Sequence, residues 1–89
     1  MKRALLIGNQ KYINMETLYT PQNDVDQLKK IFIILGFSVT SYIDTSKEIM
    51  VDVIIDFINS IIDGDEVVFF FSGHGYSFSG HNYITPVDW

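Results

Sequence analysis

The sequence contains no cysteine, although the chain has 89 residues. A chain without cysteine forms no disulfide framework and offers no thiolate to a metal ion. It also has no thiol nucleophile of its own. This composition fits a reducing compartment, and we expect the protein to be cytoplasmic.

Positively charged residues and long apolar runs are also scarce. Six lysines and arginines stand against 11 acidic residues, which gives a net charge of −5, and the basic residues form no run. The electrostatic footprint of a protein that binds DNA or RNA is therefore missing. No segment approaches the roughly 20 apolar residues that span a bilayer, and the first apolar run is too short for a signal peptide. We expect neither nucleic acid nor a membrane as a partner.

Apolar residues are plentiful, at 47% of the chain, and they fall into segments typical of an α/β domain. Strands are predicted over 4–7, 37–43 and 67–71, with helices between them and a short extended piece over 82–84. This βαβαβ order calls for a parallel sheet with helices on its faces. If the 67–71 strand lies in the centre of the sheet, its far edge must be covered by something that these residues do not supply. We therefore expect residues 1–89 to form part of a larger domain.

Both helices carry start and stop signals. Thr20 followed by Pro21 predicts an N-cap and a first helical residue, and Gly36 predicts the end of that helix. Its apolar positions recur at helical spacing: Val25, Leu28, Phe32 and Leu35. Residues 45–48 match a capping box that begins at Thr45. The apolar stripe of the second helix comprises Ile49, Val53, Phe57 and Ile61, with Met50, Ile54 and Ile58 beside it.

A histidine between two glycines follows the third predicted strand, as part of the segment 72–75. Ligands of a parallel α/β sheet bind beyond the carboxyl ends of the strands, so Gly8 and Asn9 are expected at the same edge. Glycine lets the backbone approach a ligand closely, and imidazole exchanges a proton near neutral pH. We interpret His74 as a general base. The alternative is a loop histidine that a neighbouring carbonyl satisfies.

A base needs a group to act on, and the residues themselves offer two weak candidates. Ser72 and Ser77 are the nearest hydroxyls, but His74 occupies the central place of the Gly-x-Ser-x-Gly elbow that a serine hydrolase would show. A metal site would have to gather His74, His81 and Asp88, whose spacing matches no established ligand pattern. We predict no metal ion and no cofactor.

Five segments occur in an order that points to a known family. They are Arg3-Ala4-Leu5-Leu6-Ile7-Gly8-Asn9, Asn23-Asp24-Val25, Leu35-Gly36-Phe37, Phe71-Ser72-Gly73-His74-Gly75-Tyr76 and Pro86-Val87-Asp88. Together they resemble the large-subunit portion of caspase-like cysteine peptidases, the superfamily of caspases, paracaspases and metacaspases. The Ser-Gly-His-Gly motif after an apolar strand is the most specific segment. The Gly8-Asn9 loop followed by Tyr12 is closer to paracaspases than to animal caspases.

The resemblance implies a three-layer caspase-like, flavodoxin-like fold fragment that is truncated before the strand bearing the catalytic cysteine. It implies a cysteine endopeptidase that acts on proteins or peptides. His74 would activate the thiol, and the backbone N–H of Gly75 would help to bind the oxyanion. The cysteine would come from the remainder of the domain, downstream of His74, or from a second chain.

Specificity is also suggested by the resemblance. Caspases that cleave after aspartate carry an arginine in the loop after the first strand, and Leu18 falls near its place. Paracaspases and metacaspases place an acidic residue in the pocket, and the matching position is Asp24. We expect cleavage after basic residues, arginine above lysine. The equally weighted alternative for Asp24 is a carboxylate that stabilises the first turn of a helix.

Two other functions remain open. One is an inactive pseudopeptidase or regulatory fragment that acts by pairing with a related domain. The other is a small ligand-binding module resembling half of a receiver or flavodoxin domain. The loop after the first strand lacks the glycine-rich phosphate motif that the latter would need.

Overall fold

Strands and helices alternate along the chain in the computed structural model, which describes residues 1–89. The elements are β1 (Lys2–Gly8), α1 (Pro21–Ile34), β2 (Ser38–Ile43), α2 (Lys47–Ser60), β3 (Glu66–Ser72), β4 (Gly75–Phe78) and β5 (His81–Ile84). Neither helix combines the length and hydrophobicity that crossing a bilayer requires.

The first three strands form one parallel sheet in the order β2-β1-β3. The predicted parallel sheet is confirmed. The central strand is β1, whereas β3 lies at an edge. Val67 and Phe69 are each 46% exposed for that reason.

The central strand β1 is buried on both faces because successive side chains point to opposite sides. Ala4 and Leu6 pack with Val25 of α1. Leu5 and Ile7 pack against α2, and the α2 residues involved are Met50, Val53, Ile54 and Phe57. Each helix therefore covers one face, and the predicted three-layer α/β architecture is confirmed. The expected α2 stripe is wrong at Ile49 and Ile58, near the two ends of the helix, because both are at least half exposed.

The start of α1 is held by a side chain from another loop. Pro21 is the first helical residue, as predicted, but Thr20 has helical dihedral angles and makes no side-chain cap. The Gln10 side-chain carbonyl accepts the Gln22 backbone N–H at 3.1 Å in its place. A Cβ on Gly8 would lie 2.9 Å from the Pro21 carbonyl oxygen. Glycine at this position therefore lets the helix start approach the end of β1.

The end of α1 is a Schellman motif. Gly36 has φ +87, its N–H donates to the Ile33 carbonyl at 3.0 Å, and the Phe37 N–H donates to the Phe32 carbonyl at 2.9 Å. The rings of Phe32 and Phe37 meet edge to face, 5.1 Å apart. Gly36 ends the helix as predicted. Leu35 is the C-cap and 53% exposed, so its assignment to the apolar stripe is wrong.

The start of α2 differs from the predicted capping box by one residue. Ser46 is the N-cap, and its hydroxyl accepts the Ile49 N–H at 3.4 Å. Thr45 is buried and bonds to Asn9. The local pattern assigns the Thr45 side chain to the helix cap, but this side chain bonds to Asn9, which is distant in sequence.

The last two strands form a separate antiparallel hairpin. Its turn residues Ser79 and Gly80 have φ values of 50 and 78. Positive φ at both central residues is the geometry that a tight two-residue hairpin requires. The extended piece predicted over 82–84 is confirmed within β5, whereas β4 was not predicted.

Candidate active site

The carboxyl ends of β1 and β3 lie side by side. Gly8 is the register partner of Ser72, and the Asn9 N–H donates to the Ser72 carbonyl at 2.9 Å. The prediction that these segments share one sheet edge is confirmed. The segment that contains His74 therefore starts from a fixed point on the sheet.

The imidazole of His74 is oriented by a backbone carbonyl. Its Nε2 lies 2.8 Å from the Glu16 carbonyl oxygen, and a carbonyl can only accept, so Nε2 carries the proton. The Nδ1 atom of the neutral ring is then a free acceptor. The Tyr12 ring meets the imidazole edge-on, with centroids 4.7 Å apart. His74 thus bonds to a neighbouring carbonyl, as expected of a loop histidine. Its Nδ1 is nevertheless left without a partner, as a general base requires.

Both backbone polar groups of His74 are fixed as well. Its N–H donates to the Tyr12 hydroxyl at 2.9 Å. Its carbonyl accepts from the Thr85 hydroxyl at 2.7 Å and from the Thr85 N–H at 3.2 Å. The histidine is consequently held at its backbone and at its ring.

These contacts belong to a buried polar network. The Asn9 amide donates to the Thr85 carbonyl at 3.1 Å, and its oxygen accepts from the N–H and the hydroxyl of Thr45 at 2.8 and 3.0 Å. The Tyr12 hydroxyl also donates to the Thr85 carbonyl, at 3.1 Å. No buried side-chain polar atom in the chain lacks a partner. A fully satisfied network of this kind rigidifies its surroundings.

Gly75 presents its backbone N–H away from the hairpin. The Thr85 N–H to His74 carbonyl bond makes those two residues a hydrogen-bonded pair of the antiparallel ladder. Pairs alternate along such a ladder, so the neighbouring pair, Gly75 and Ile84, is not hydrogen-bonded. The N–H of Gly75 therefore points outward, where it can meet an anion.

Asp24 lies in the first turn of α1, and its Oδ2 accepts the Ser72 hydroxyl at 2.9 Å. This bond brings the carboxylate to the same sheet edge, because Ser72 is two residues before His74. The helix-turn location matches one of the two interpretations of Asp24. Its proximity to the His74 segment is compatible with the other, a pocket role, which stays a prediction.

Comparison with known proteins gives this geometry its context. The caspase domain family, peptidase family C14, matches residues 1–89. The chain belongs to the caspase domain family. Two relatives, the mouse mucosa-associated lymphoid tissue lymphoma translocation protein 1 homolog and its human counterpart, are each 33% identical over 87 residues. That alignment covers 98% of this chain but only 10% of the mouse protein and 11% of the human one.

The predicted resemblance to caspase-like peptidases, and to paracaspases among them, is confirmed by these matches. The catalytic roles predicted for His74 and Gly75 and the pocket role of Asp24 stay predictions.

The other candidates in this caspase domain have different partners. Ser72 donates to Asp24, and Ser77 donates to the Asn82 side chain at 2.7 Å, so neither serine bonds to His74. The Asp88 carboxylate accepts the Lys47 N–H at 2.8 Å. His74, His81 and Asp88 do not form a group that could hold a metal ion.

Four contacts of the caspase-domain site are not indicated by the sequence. The Glu16 carbonyl carries no signal, because every residue type offers the same acceptor. Thr85 lies in a segment predicted only as extended. The sequence places Asn9 at the correct edge but does not indicate the partners of its amide. Tyr12 contributes to the resemblance, and a tyrosine close to a motif loop is a reasonable candidate for a hydroxyl contact.

Proposed function

We propose that this chain supplies the histidine half of a cysteine endopeptidase. The observation that carries the proposal is the orientation of His74, whose Nε2–H donates to the Glu16 carbonyl at 2.8 Å. That bond leaves Nδ1 as the base, beside the outward N–H of Gly75. The two groups that a thiol peptidase needs besides its cysteine are thus adjacent in the chain.

The geometry supports the following reaction. Nδ1 of His74 takes the thiol proton, and the thiolate attacks the scissile carbonyl carbon. The Gly75 N–H stabilises the oxyanion, and one such donor typically contributes about 2.7 to 4 kcal/mol. The imidazolium then protonates the leaving amine while Nε2 keeps its bond to Glu16. Water hydrolyses the thioester with His74 again as the base, which restores the thiol and releases the acid.

The cysteine itself must come from outside these residues, since the sequence contains none. We propose that residues 1–89 are the histidine-bearing part of a caspase-like domain, completed by further sequence or by a second chain. The relatives are roughly ten times longer than this chain, which is compatible with that proposal. The reaction needs a reduced thiol, so we place it in the cytoplasm.

Asp24 is our candidate for substrate selection. Its Oδ2 accepts from Ser72, whereas Oδ1 has no hydrogen-bond partner in the protein. The carboxylate is half-buried, so a free oxygen there favours a cationic side chain. A guanidinium forms a bidentate, charge-assisted pair with a carboxylate, so arginine is preferred to lysine. Leu18 offers no positive charge for an aspartate side chain.

The test is to express the complete gene product that contains residues 1–89 and to assay peptides ending in arginine, lysine or aspartate. We expect cleavage after arginine, then lysine. His74→Ala should lower kcat by roughly 10²- to 10⁴-fold, the usual contribution of a general base. His81→Ala is the matched control, because His81 is an exposed histidine on β5.

Three results would contradict the proposal. Equal losses in His74→Ala and His81→Ala would remove the catalytic role of His74. Preference for aspartate would remove the role of Asp24. Peptidase activity of the 89-residue chain alone would remove the need for an external cysteine, and we expect none.

The alternative is a pseudopeptidase that acts by protein–protein interaction. The apolar surface of β3, where Val67 and Phe69 are each 46% exposed, favours it. An exposed apolar strand at a sheet edge is a common pairing surface. A complete gene product that has no cysteine and cleaves none of the peptides would support this alternative over the enzyme.

A further inference from the structure

The Tyr12 hydroxyl interrupts the last rung of the β4–β5 ladder. In a hydrogen-bonded antiparallel pair, each residue donates its N–H to the carbonyl of the other. Thr85 does donate to the His74 carbonyl, at 3.2 Å. The N–H of His74 instead donates to the Tyr12 hydroxyl at 2.9 Å, and that hydroxyl donates to the Thr85 carbonyl at 3.1 Å. A side-chain oxygen from a distant loop thus replaces one direct backbone bond.

The proton count at this rung is consistent. The Tyr12 hydroxyl has one proton, which goes to the Thr85 carbonyl, and it accepts from the His74 N–H. The Thr85 hydroxyl also lies 3.1 Å from the Tyr12 oxygen, but its proton has the shorter partner, the His74 carbonyl at 2.7 Å. Every donor at this rung is therefore used once.

Space for the hydroxyl is provided by a neighbouring glycine. A Cβ built on Gly73 would lie 2.6 Å from the Tyr12 oxygen, closer than real Cβ contacts come. The Tyr12 side chain is buried, so it could not easily move aside. Glycine before the histidine thus has a packing reason that is separate from any ligand.

We propose that Tyr12 is a positioning residue for His74. By taking the place of one direct bond, its hydroxyl keeps the His74 N–H apart from the Thr85 carbonyl and the His74 ring in reach of the Glu16 carbonyl. Tyr12 and Glu16 lie on the same loop, so one segment sets both the backbone and the tautomer of the histidine. The catalytic meaning of this device rests on the proposed function, whereas the positioning itself does not.

The test is Tyr12→Phe in the isotope-labelled complete gene product that contains residues 1–89. Without the hydroxyl, the His74 N–H loses its acceptor or pairs directly with Thr85, and the ring is drawn away from Glu16. Long-range nitrogen–proton NMR spectra should then show His74 moving from a dominant Nε2–H tautomer toward a mixture. Hydrogen exchange of the His74 amide should accelerate roughly fivefold, as expected for one ordinary hydrogen bond.

The control variant is Tyr83→Phe, which removes the hydroxyl of an exposed tyrosine on the same hairpin. It should leave the His74 tautomer and amide exchange unchanged. Each sample contains two internal references. The His81 ring reports changes that affect any imidazole, and exchange of the Leu6 amide reports global unfolding. In Tyr12→Phe we expect both references to match the wild type.

A second variant covers the case in which Tyr12→Phe does not fold. Gly73→Ala keeps the hydroxyl but displaces it from the His74 N–H, and the same two changes at His74 are expected. The proposal is overturned if the His74 tautomer stays unchanged in whichever variant folds, or if His74 and Leu6 amides accelerate equally, which indicates a merely structural role. It is also overturned if neither variant folds.

None of these readouts needs a cysteine. Altered tautomers in a gene product that cleaves nothing would support the positioning role and contradict the proposed function. An active enzyme with an unaltered tautomer would support the proposed function and contradict the positioning role.

Discussion

The two edges of the parallel sheet are held together by different means. At the carboxyl edge, buried side chains link β1, β2, β3 and the hairpin, and one bond from Asn9 to Thr85 spans 76 positions in sequence. At the amino edge, the main tie is Asp65, which accepts from the amino terminus and from Arg3, each at 3.0 Å. The first edge relies mainly on buried neutral groups, whereas at the second a buried carboxylate pairs with an exposed amino terminus and a half-buried arginine.

This difference indicates where the fold requires precision. Buried polar groups are costly unless every hydrogen bond is made, so they specify one geometry. Ion pairs whose cations stay in contact with water tolerate small movements and contribute less. The candidate active site lies at the edge with the stricter arrangement, which fits a site whose histidine must keep a defined tautomer.

The sharpest way to break the carboxyl edge is Asn9→Ala. Asn9 is fully buried, and its loss leaves the Thr45 N–H and hydroxyl without their acceptor. We expect the free energy of unfolding to fall by about 3 kcal/mol, because buried unsatisfied groups cost about 1 to 3 kcal/mol each. Urea unfolding of the variant against wild type measures this. Asn59→Ala, on the exposed side of α2, is the control and should have little effect. A similar loss in both variants would remove the special role of the network.

The sheet and its functional edge could be predicted because they depend on local pattern. Apolar runs such as 67–71 and helix breakers such as Gly36 identify elements, and the βαβ order then fixes which strand ends meet. The position of His74 at this edge follows from its place after a strand. The hairpin is harder to predict, because its turn needs positive φ at Ser79, and serine seldom adopts positive φ.

The contacts within the site could not be predicted, since they join residues far apart in sequence. Thr20 and Thr45 are both good N-caps by local propensity, but Thr20 stands at the N-cap position without a side-chain bond, and the second cap falls on Ser46 and not on Thr45. At the first, a glutamine from the 9–20 loop bonds the helix start. At the second, Asn9 takes the threonine into the buried network. Local propensity gives way wherever a tertiary partner satisfies more polar groups.

A smaller effect is expected at the amino edge from Gly36→Ala. Gly36 follows α1 with φ +87, a left-handed conformation that costs an L residue roughly 1 to 2 kcal/mol. Nothing lies within 4 Å of a Cβ there, so the cost is conformational and not steric. We expect the free energy of unfolding, measured in urea, to fall by about 1 kcal/mol. Gly36→Asn should lose less, because asparagine tolerates this region. A larger loss for asparagine than for alanine would refute the conformational explanation.

The smallest effect is expected from Asp65→Asn, and it should depend on pH. The Ile62 backbone N–H, followed by the amino terminus and Arg3, lowers the pKa of Asp65 from 3.8 to about 2. A depressed folded-state pKa stabilises the fold above the unfolded value, and this contribution disappears as the pH falls from about 4 through about 2. Wild type and Asp65→Asn should therefore differ in stability at pH 6 and converge near pH 2. Asp63→Asn, an exposed neighbour in the same turn, should match the wild type throughout. A difference between wild type and Asp65→Asn that persists at pH 2 would show that geometry, and not charge, makes Asp65 the tie at this edge.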